Sequence, residues 1–227
     1  MTSMHPRIAR AWTGQDCELC SAPSGLGFLC AGCTAELPLL PEHCPRCALP
    51  SPGNAVCGAC LRHAPHFDAT IALWRYEFPC DRMVQSLKYR ARLALAGFFG
   101  AGLASRAALR AQLIVPMPLH PSRLAARGFN QALEIARALA HGRAIPVRTR
   151  AVRRVRNTAP QTDLPYEKRA KNVRGAFACD LDLDGLAVAV VDDVMTTGAT
   201  LDELARTLKR AGAARVENWV VARTVLG

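Results

Sequence analysis

Residues 186–200 read LAVAVVDDVMTTGAT, and the chain is organised around them. Leu186 to Val191 is apolar at every position. A strand buried on both faces has this pattern, and the central strands of parallel sheets are buried on both faces. Asp192 and Asp193 therefore stand at the carboxyl end of a predicted strand, where open α/β sheets place their ligand sites. Val194, Met195, Thr196, Thr197, Gly198, Ala199 and Thr200 form a short loop, and a helical pattern follows over residues 201–211. Free N–H groups and the positive end of a helix dipole favour a phosphate there. Three threonine hydroxyls can donate to it, and Gly198 lets backbone approach closely. For the acid pair alone, a strand, a turn and a threonine-capped helix without any ligand would be sufficient.

The whole string is more specific. It resembles the phosphoribosyl-pyrophosphate (PRPP) fingerprint of type I phosphoribosyltransferases: apolar residues, two acids, a short loop, then Thr-Thr-Gly-x-Thr. The resemblance implies that residues 194–200 hold the 5′-phosphate. It also implies that Asp192 and Asp193 hold the ribose hydroxyls as the catalytic acids, with Mg²⁺ accompanying PRPP.

The remaining composition sets limits. A chain of 227 residues suits one full domain plus a small one. No run reaches the length of a membrane span, and the first residues carry no apolar signal core, so a cytoplasmic protein is expected. The formal charge is +11, and four of the 29 basic residues are lysine. Genomic base composition can enrich arginine. The segment 141–174, however, holds ten basic residues against Asp163 and Glu167, a local concentration that points to phosphate or nucleic acid.

From residue 17 the chain is a metal module. Cys17 and Cys20, Cys30 and Cys33, Cys44 and Cys47, and Cys57 and Cys60 form four Cys-x2-Cys knuckles. Cys17 to Cys44 and Cys30 to Cys57 both span 27 residues, so one small ribbon is repeated. Four thiolates make a closed tetrahedral zinc site, and two such sites would fold a segment too small for its own core. A disulfide framework would suit an exported chain better. Short intervals within each repeat and the joint LPLLP at 37–41 favour sequential pairing over cross-bracing. Cys80 and Cys179 remain as small apolar side chains. The expected division is a tail at 1–16, a double zinc ribbon at 17–63 and a larger domain at 64–227.

Further along, residues 66–74 read as a connector and strand, and 82–110 as one or two helices. Lys88, Tyr89 and Arg90 are equally a solvated helix face or a basic-aromatic patch over the ligand site. Residues 113–115 read as a strand. Prolines at 116, 118 and 121 then predict a stiff loop without helix, carrying Pro118, Arg123 and Arg127, before a helix that runs to about residue 140. Two arginines at a strand end make a second anion site, and the family resemblance assigns it to pyrophosphate. A last strand is expected at 217–224. Purine-type phosphoribosyltransferases build their base site after this strand, so a different base site is expected here.

VPMPLHPSRLAARGFNQ, QTDLPYEKRAKNVRGAF and VVDDVMTTGAT, in this order after a double ribbon, are similar to the ComF competence-protein family. That resemblance implies an α/β fold: a type I phosphoribosyltransferase-like parallel sheet with helices on both faces, preceded by a small double zinc ribbon. It places Asn157, Gln161, Arg169 and Asn172 on a flexible catalytic loop. Handling of internalised single-stranded DNA is the implied role, and Lys88, Tyr89, Arg90, Arg153, Arg154 and Arg156 are the candidates for tracking and stacking nucleic acid. Two other readings stay open: an active phosphoribosyltransferase, and a zinc-ribbon adaptor for a DNA-uptake helicase or processing protein.

Overall fold

The computed structural model describes residues 14–107, 111–150, 152–156 and 173–225. Strands β1 (Gln15–Asp16) and β2 (Pro23–Gly25), helix α1 (Ala31–Ala35) and helix α2 (Gly58–Arg62) belong to the cysteine-rich part. The rest runs β3 (Ala69–Arg75), α3 (Cys80–Arg90), α4 (Ala94–Arg106), β4 (Leu113–Pro116), α5 (Pro121–Arg127) and α6 (Gln131–Ala140). It continues with β5 (Val152–Arg154), β6 (Phe177–Cys179), β7 (Ala187–Met195), α7 (Ala199–Arg210) and β8 (Arg215–Arg223).

Four strands form a parallel sheet in the order β3-β8-β7-β4. The apolar run at 187–191 lies at its centre, as a strand buried on both faces must. Alternate residues point to opposite faces and divide the core in two. Val188 and Val190 pack with α7, while Ala189 and Val191 pack with α3, α4 and most of α6. Helices therefore cover both faces. Helices α4 and α6 touch closely at Gly100, where an added Cβ would lie 2.6 Å from Ala138 Cβ and 2.7 Å from Leu139 N. No described helix is long and apolar enough to cross a membrane.

The two ribbons straddle edge strand β3. The first joins the α3–α4 face: Phe28 stacks on Phe98 at 5.2 Å, and Phe98 stacks on Trp74 of β3 at 5.7 Å. The second joins the α7 face, where Cys44, Cys47, Cys60 and Phe67 share a core with Met195 and Leu201. The proline-rich joint runs along the edge between them. Leu39 bridges Trp74, Arg75 N donates to Pro38 O at 2.7 Å, and Thr70 N donates to Pro45 O at 3.0 Å. An otherwise open sheet edge is thereby covered.

Two local expectations change. The prolines at 116–121 do not exclude a helix, because Pro121 starts α5. Proline is well placed in a first turn, where its missing N–H has no intrahelical partner to lose, and His120 caps the turn through Ser122 N. Arg123 and Arg127 thus sit on a short helix rather than a loop. Strand β7 also runs past the acid pair to Met195, so Asp192 and Asp193 lie inside the strand and face opposite ways.

Candidate functional site

The carboxyl ends of β4 and β7 and the start of α7 open onto a cleft of about 310 Å³. Its floor holds half-buried Asp192 with Val194, Met195, Thr196, Gly198 and Thr200 from the fingerprint loop. Gly198 adopts φ 83°, a left-handed conformation that favours glycine, and its N-cap position starts α7 facing the cleft. Thr197 Oγ1 accepts from Ala199 N at 3.2 Å and tightens the turn. Asp202 in the first turn of α7 is engaged elsewhere, accepting from His66 N at 2.6 Å.

Arg123 and Arg127 of α5 form the opposite wall. Asn130 fixes that wall: it caps α6 by accepting from Ala132 N at 3.0 Å, and donates to Met117 O at 3.0 Å. Arg127 donates to Gln131 and lies 5.6 Å from the centre of the exposed Tyr89 ring, a cation–π distance. Pro118 lines a neighbouring groove instead.

Arg154 adds a third guanidinium. Sequence reasoning placed it on a nucleic-acid track, yet it lines this cleft, is 8% exposed and stacks 5.5 Å from the Phe177 ring. Burial first, and then the neighbouring Arg123 charge, hold its pKa below the ordinary guanidinium value, against the pull of Asp192. Like charges gathered in one cleft are relieved by an anion. The hairpin carrying Arg154 is pinned to α7, because Gly175 N donates to Glu203 Oε1 at 2.7 Å. Alternation in β5 accounts for the split: Arg153 points outward to Asp180 at 2.8 Å while Arg154 points in. Arg156 donates to Arg174 O. Asn157, Gln161, Arg169 and Asn172 lie outside the described residues.

The two acids have different surroundings. Burial first, and then the charge of Asp193, push the Asp192 pKa up to about 7. Asp193 faces the α3 side, is 3% exposed, and meets Lys88 Nζ at 2.8 Å. Burial would lower the Lys88 pKa, but the charge and hydrogen bond of Asp193 outweigh it and raise it. Lys88 and Tyr89 therefore belong to the cleft, whereas Arg90 is exposed outside its lining. Tyr76 and Gln131 also line it; no sequence pattern distinguished Tyr76, and Gln131 closes the motif at 115–131 without a role assigned to it.

The cysteines gather as two sequential sets, Cys17/Cys20/Cys30/Cys33 and Cys44/Cys47/Cys57/Cys60, with the sulfurs of each set within 4.8 Å of one another. Tetrahedral zinc with Zn–S of about 2.3 Å separates thiolates by about 3.8 Å. Cys20 and Cys30 sulfurs are 3.7 Å apart, and those of Cys47 and Cys57 are 3.6 Å apart. The donor sets fit structural zinc, which would fold the knuckles and leave no open position for chemistry.

Comparison with known proteins agrees with both halves. A double zinc ribbon domain model matches residues 10–61, and a phosphoribosyl transferase domain model matches residues 124–224. The chain is similar to the DNA utilization protein YhgH of Salmonella typhimurium, with 34% identity over 220 residues, 92% of this chain and 97% of that protein. It is similar to competence protein F of Haemophilus influenzae, with 30% identity over 208 residues, 86% of this chain and 90% of that protein. Among solved structures, one described as the allosteric regulatory enzyme of purine biosynthesis aligns at TM-score 0.41 and 20% identity. That alignment covers 60% of this chain and 30% of the other.

Proposed function

This chain belongs to the ComF family of double-ribbon, phosphoribosyltransferase-like proteins, and on that premise we propose that it binds PRPP and handles internalised single-stranded DNA in the cytoplasm. The observation that carries the reading is the convergence on one cleft of the α7 N-terminus, Asp192 and three arginines. The loop at 194–200 takes the 5′-phosphate through backbone N–H groups and threonine hydroxyls. Asp192 meets the ribose hydroxyls, and Arg123, Arg127 and Arg154 face the pyrophosphate. Mg²⁺ accompanies PRPP and offsets pyrophosphate charge. Asp193, paired with Lys88, holds the floor rather than the ligand. In this reading residues 17–63 are a zinc-stapled module and 64–227 the ligand-binding domain.

The DNA part rests on the names of the relatives, a DNA utilization protein and a competence protein, and on basic residues beside the cleft. Arg153 is an exposed cation, and Tyr89, 74% exposed, offers a stacking face.

A second reading is an active phosphoribosyltransferase, favoured by the opposed arginines and Asp192. In it an acceptor displaces pyrophosphate from C1 while Asp192 stabilises the developing positive charge. Calorimetry with PRPP and Mg²⁺ tests the site. Binding should occur and weaken at least tenfold in Asp192→Ala; unchanged affinity would remove the assignment. DNA affinity should fall steeply with salt. Pyrophosphate release stimulated by any of a panel of bases and amines would decide for the enzyme.

A further inference from the structure

Arg223 ends β8 and is 2% exposed. Its Nε donates to the carbonyl of Cys47 at 2.8 Å. One terminal nitrogen donates to Met195 O at 3.0 Å, to Thr196 O and to Thr224 O at 2.8 Å. A single guanidinium therefore bonds both a ligand residue of the second four-cysteine cluster and the backbone of the fingerprint loop. A buried cation is costly unless it is hydrogen-bonded and offset. Here four carbonyl oxygens accept from it, and four thiolates around a dication leave the adjoining cluster net negative.

The direction of these bonds matters. Phe78-Pro79 is the cis peptide among the described residues, so the peptides after Met195 and Thr196 are trans. In a trans peptide the carbonyl and the N–H point opposite ways. Met195 O, which also accepts from Thr224 N at 3.0 Å, and Thr196 O are both drawn onto Arg223, which turns the N–H groups of Thr196 and Thr197 away from it. These are donors that a phosphate would use. The apolar contacts run the same way: Phe67 and Met195 share a core with Cys44, Cys47 and Cys60, and both meet the Cβ position of Gly198.

We propose that Arg223 is a positioning residue through which the metal-bound second cluster orients the phosphate-binding loop, so that loss of metal from that cluster loosens the site. The inference rests on reading residues 194–200 as a phosphate loop. The first cluster packs on the other sheet face with Phe98 and Trp74, and has no such link among the described residues.

The test compares full-length chains, unaltered and carrying Cys57→Ser, Cys20→Ser or Arg223→Lys, with zinc counted in each. Amide hydrogen exchange is read at Ala199 and Asp202, whose N–H groups are bonded to Thr197 Oγ1 and Gly198 O of the loop, against Val190 and Val221 of the sheet. Cys57→Ser and Arg223→Lys should each speed loop exchange by roughly tenfold or more while sheet protection is kept. Cys20→Ser should leave the loop unchanged. A loop indifferent to the second cluster, or equally sensitive to the first, overturns the proposal.

Should a variant fail to fold, the unaltered chain is titrated with a chelator and its freed thiols are alkylated. Loop exchange must then rise with alkylation of Cys57 and Cys60, not with that of Cys17 and Cys20; the reverse order also overturns it. Calorimetry with PRPP on the same samples reads the proposed function separately. If no ligand binds, that function falls while the exchange data still decide the coupling. If PRPP binds, reciprocity requires it to raise the zinc affinity of the second cluster, read by competition with a chelator at equilibrium, and Arg223→Lys to abolish the effect. Equal zinc affinity with and without bound PRPP in the unaltered chain counts against the proposal.

Discussion

Removing the charge of Lys88 should strip a buried carboxylate of its counterion. Lys88→Met keeps the apolar stem and its packing and deletes only the ammonium. Lys88 Nζ lies 2.8 Å from Asp193 Oδ1, with the two side chains 20% and 5% exposed. The other carboxylate oxygen, Oδ2, has no hydrogen-bond partner among the described residues, so the charge leans on Lys88. Breaking a buried pair from one side costs about 3–5 kcal/mol. Lys88 borders the cleft, where water can enter, so the lower end, about 3 kcal/mol, is expected. For a chain of this size that lowers Tm by roughly 6–12 °C.

The pH dependence has a definite sign. A raised lysine pKa contributes stability that is complete below its unfolded value and lost only in alkali, so the native pair is intact at neutrality. Urea denaturation at pH 7 measures the deficit. Lys88→Met with Asp193→Leu should recover much of the loss, because an apolar pair is tolerated where a lone charge is not. A deficit below about 0.5 kcal/mol at pH 7, the scale of an exposed ion pair, would refute the reasoning, as would a double variant no better than the single.

Asp192 has the same sign in a lower window: its folded pKa of about 7 exceeds the ordinary 3.8, so its contribution to stability falls as pH rises from about 4 to about 7. Asp192→Asn should therefore be more stable than the native chain at pH 8, on the order of 1–2 kcal/mol after discounting for solvent that reaches the half-buried carboxylate, and equal to it near pH 3, as paired melts would show. Gly198→Ala forces a Cβ at φ +83° and 2.7 Å from the buried Met195 Cε. It should cost about 1–2 kcal/mol in denaturation and weaken PRPP binding in calorimetry. Metal analysis should return about two zincs per chain, and chelation should abolish the cooperative melt of the ribbons, as circular dichroism can follow.

Much of this molecule is legible in local pattern. The buried central strand, the helix that follows it and the two sequential thiolate sets are properties of contiguous residues: apolar runs, a Thr/Gly loop and two-residue spacers. Their physical causes act within a few residues of chain, so the one-dimensional order carries them. The opening stretch was legible for the same reason, down to the strand that bears the acids.

The different surroundings of those acids needed the tertiary structure. Asp192 and Asp193 are adjacent and chemically identical, and only strand alternation against packed helices sends one to the cleft and the other to Lys88. Arg153 and Arg154 part in the same way on β5. Arg223 reaches Cys47 across 176 positions, a link that no spacing rule anticipates. Even Pro121, a helix breaker in an interior, starts a helix once His120 caps its first turn. The sequence by itself determined which elements form and which chemistry they carry. Which side chains meet was decided only when the sheet, its helices and the two ribbons were packed, because burial, counterions and hydrogen-bond partners exist only between surfaces brought together by the fold.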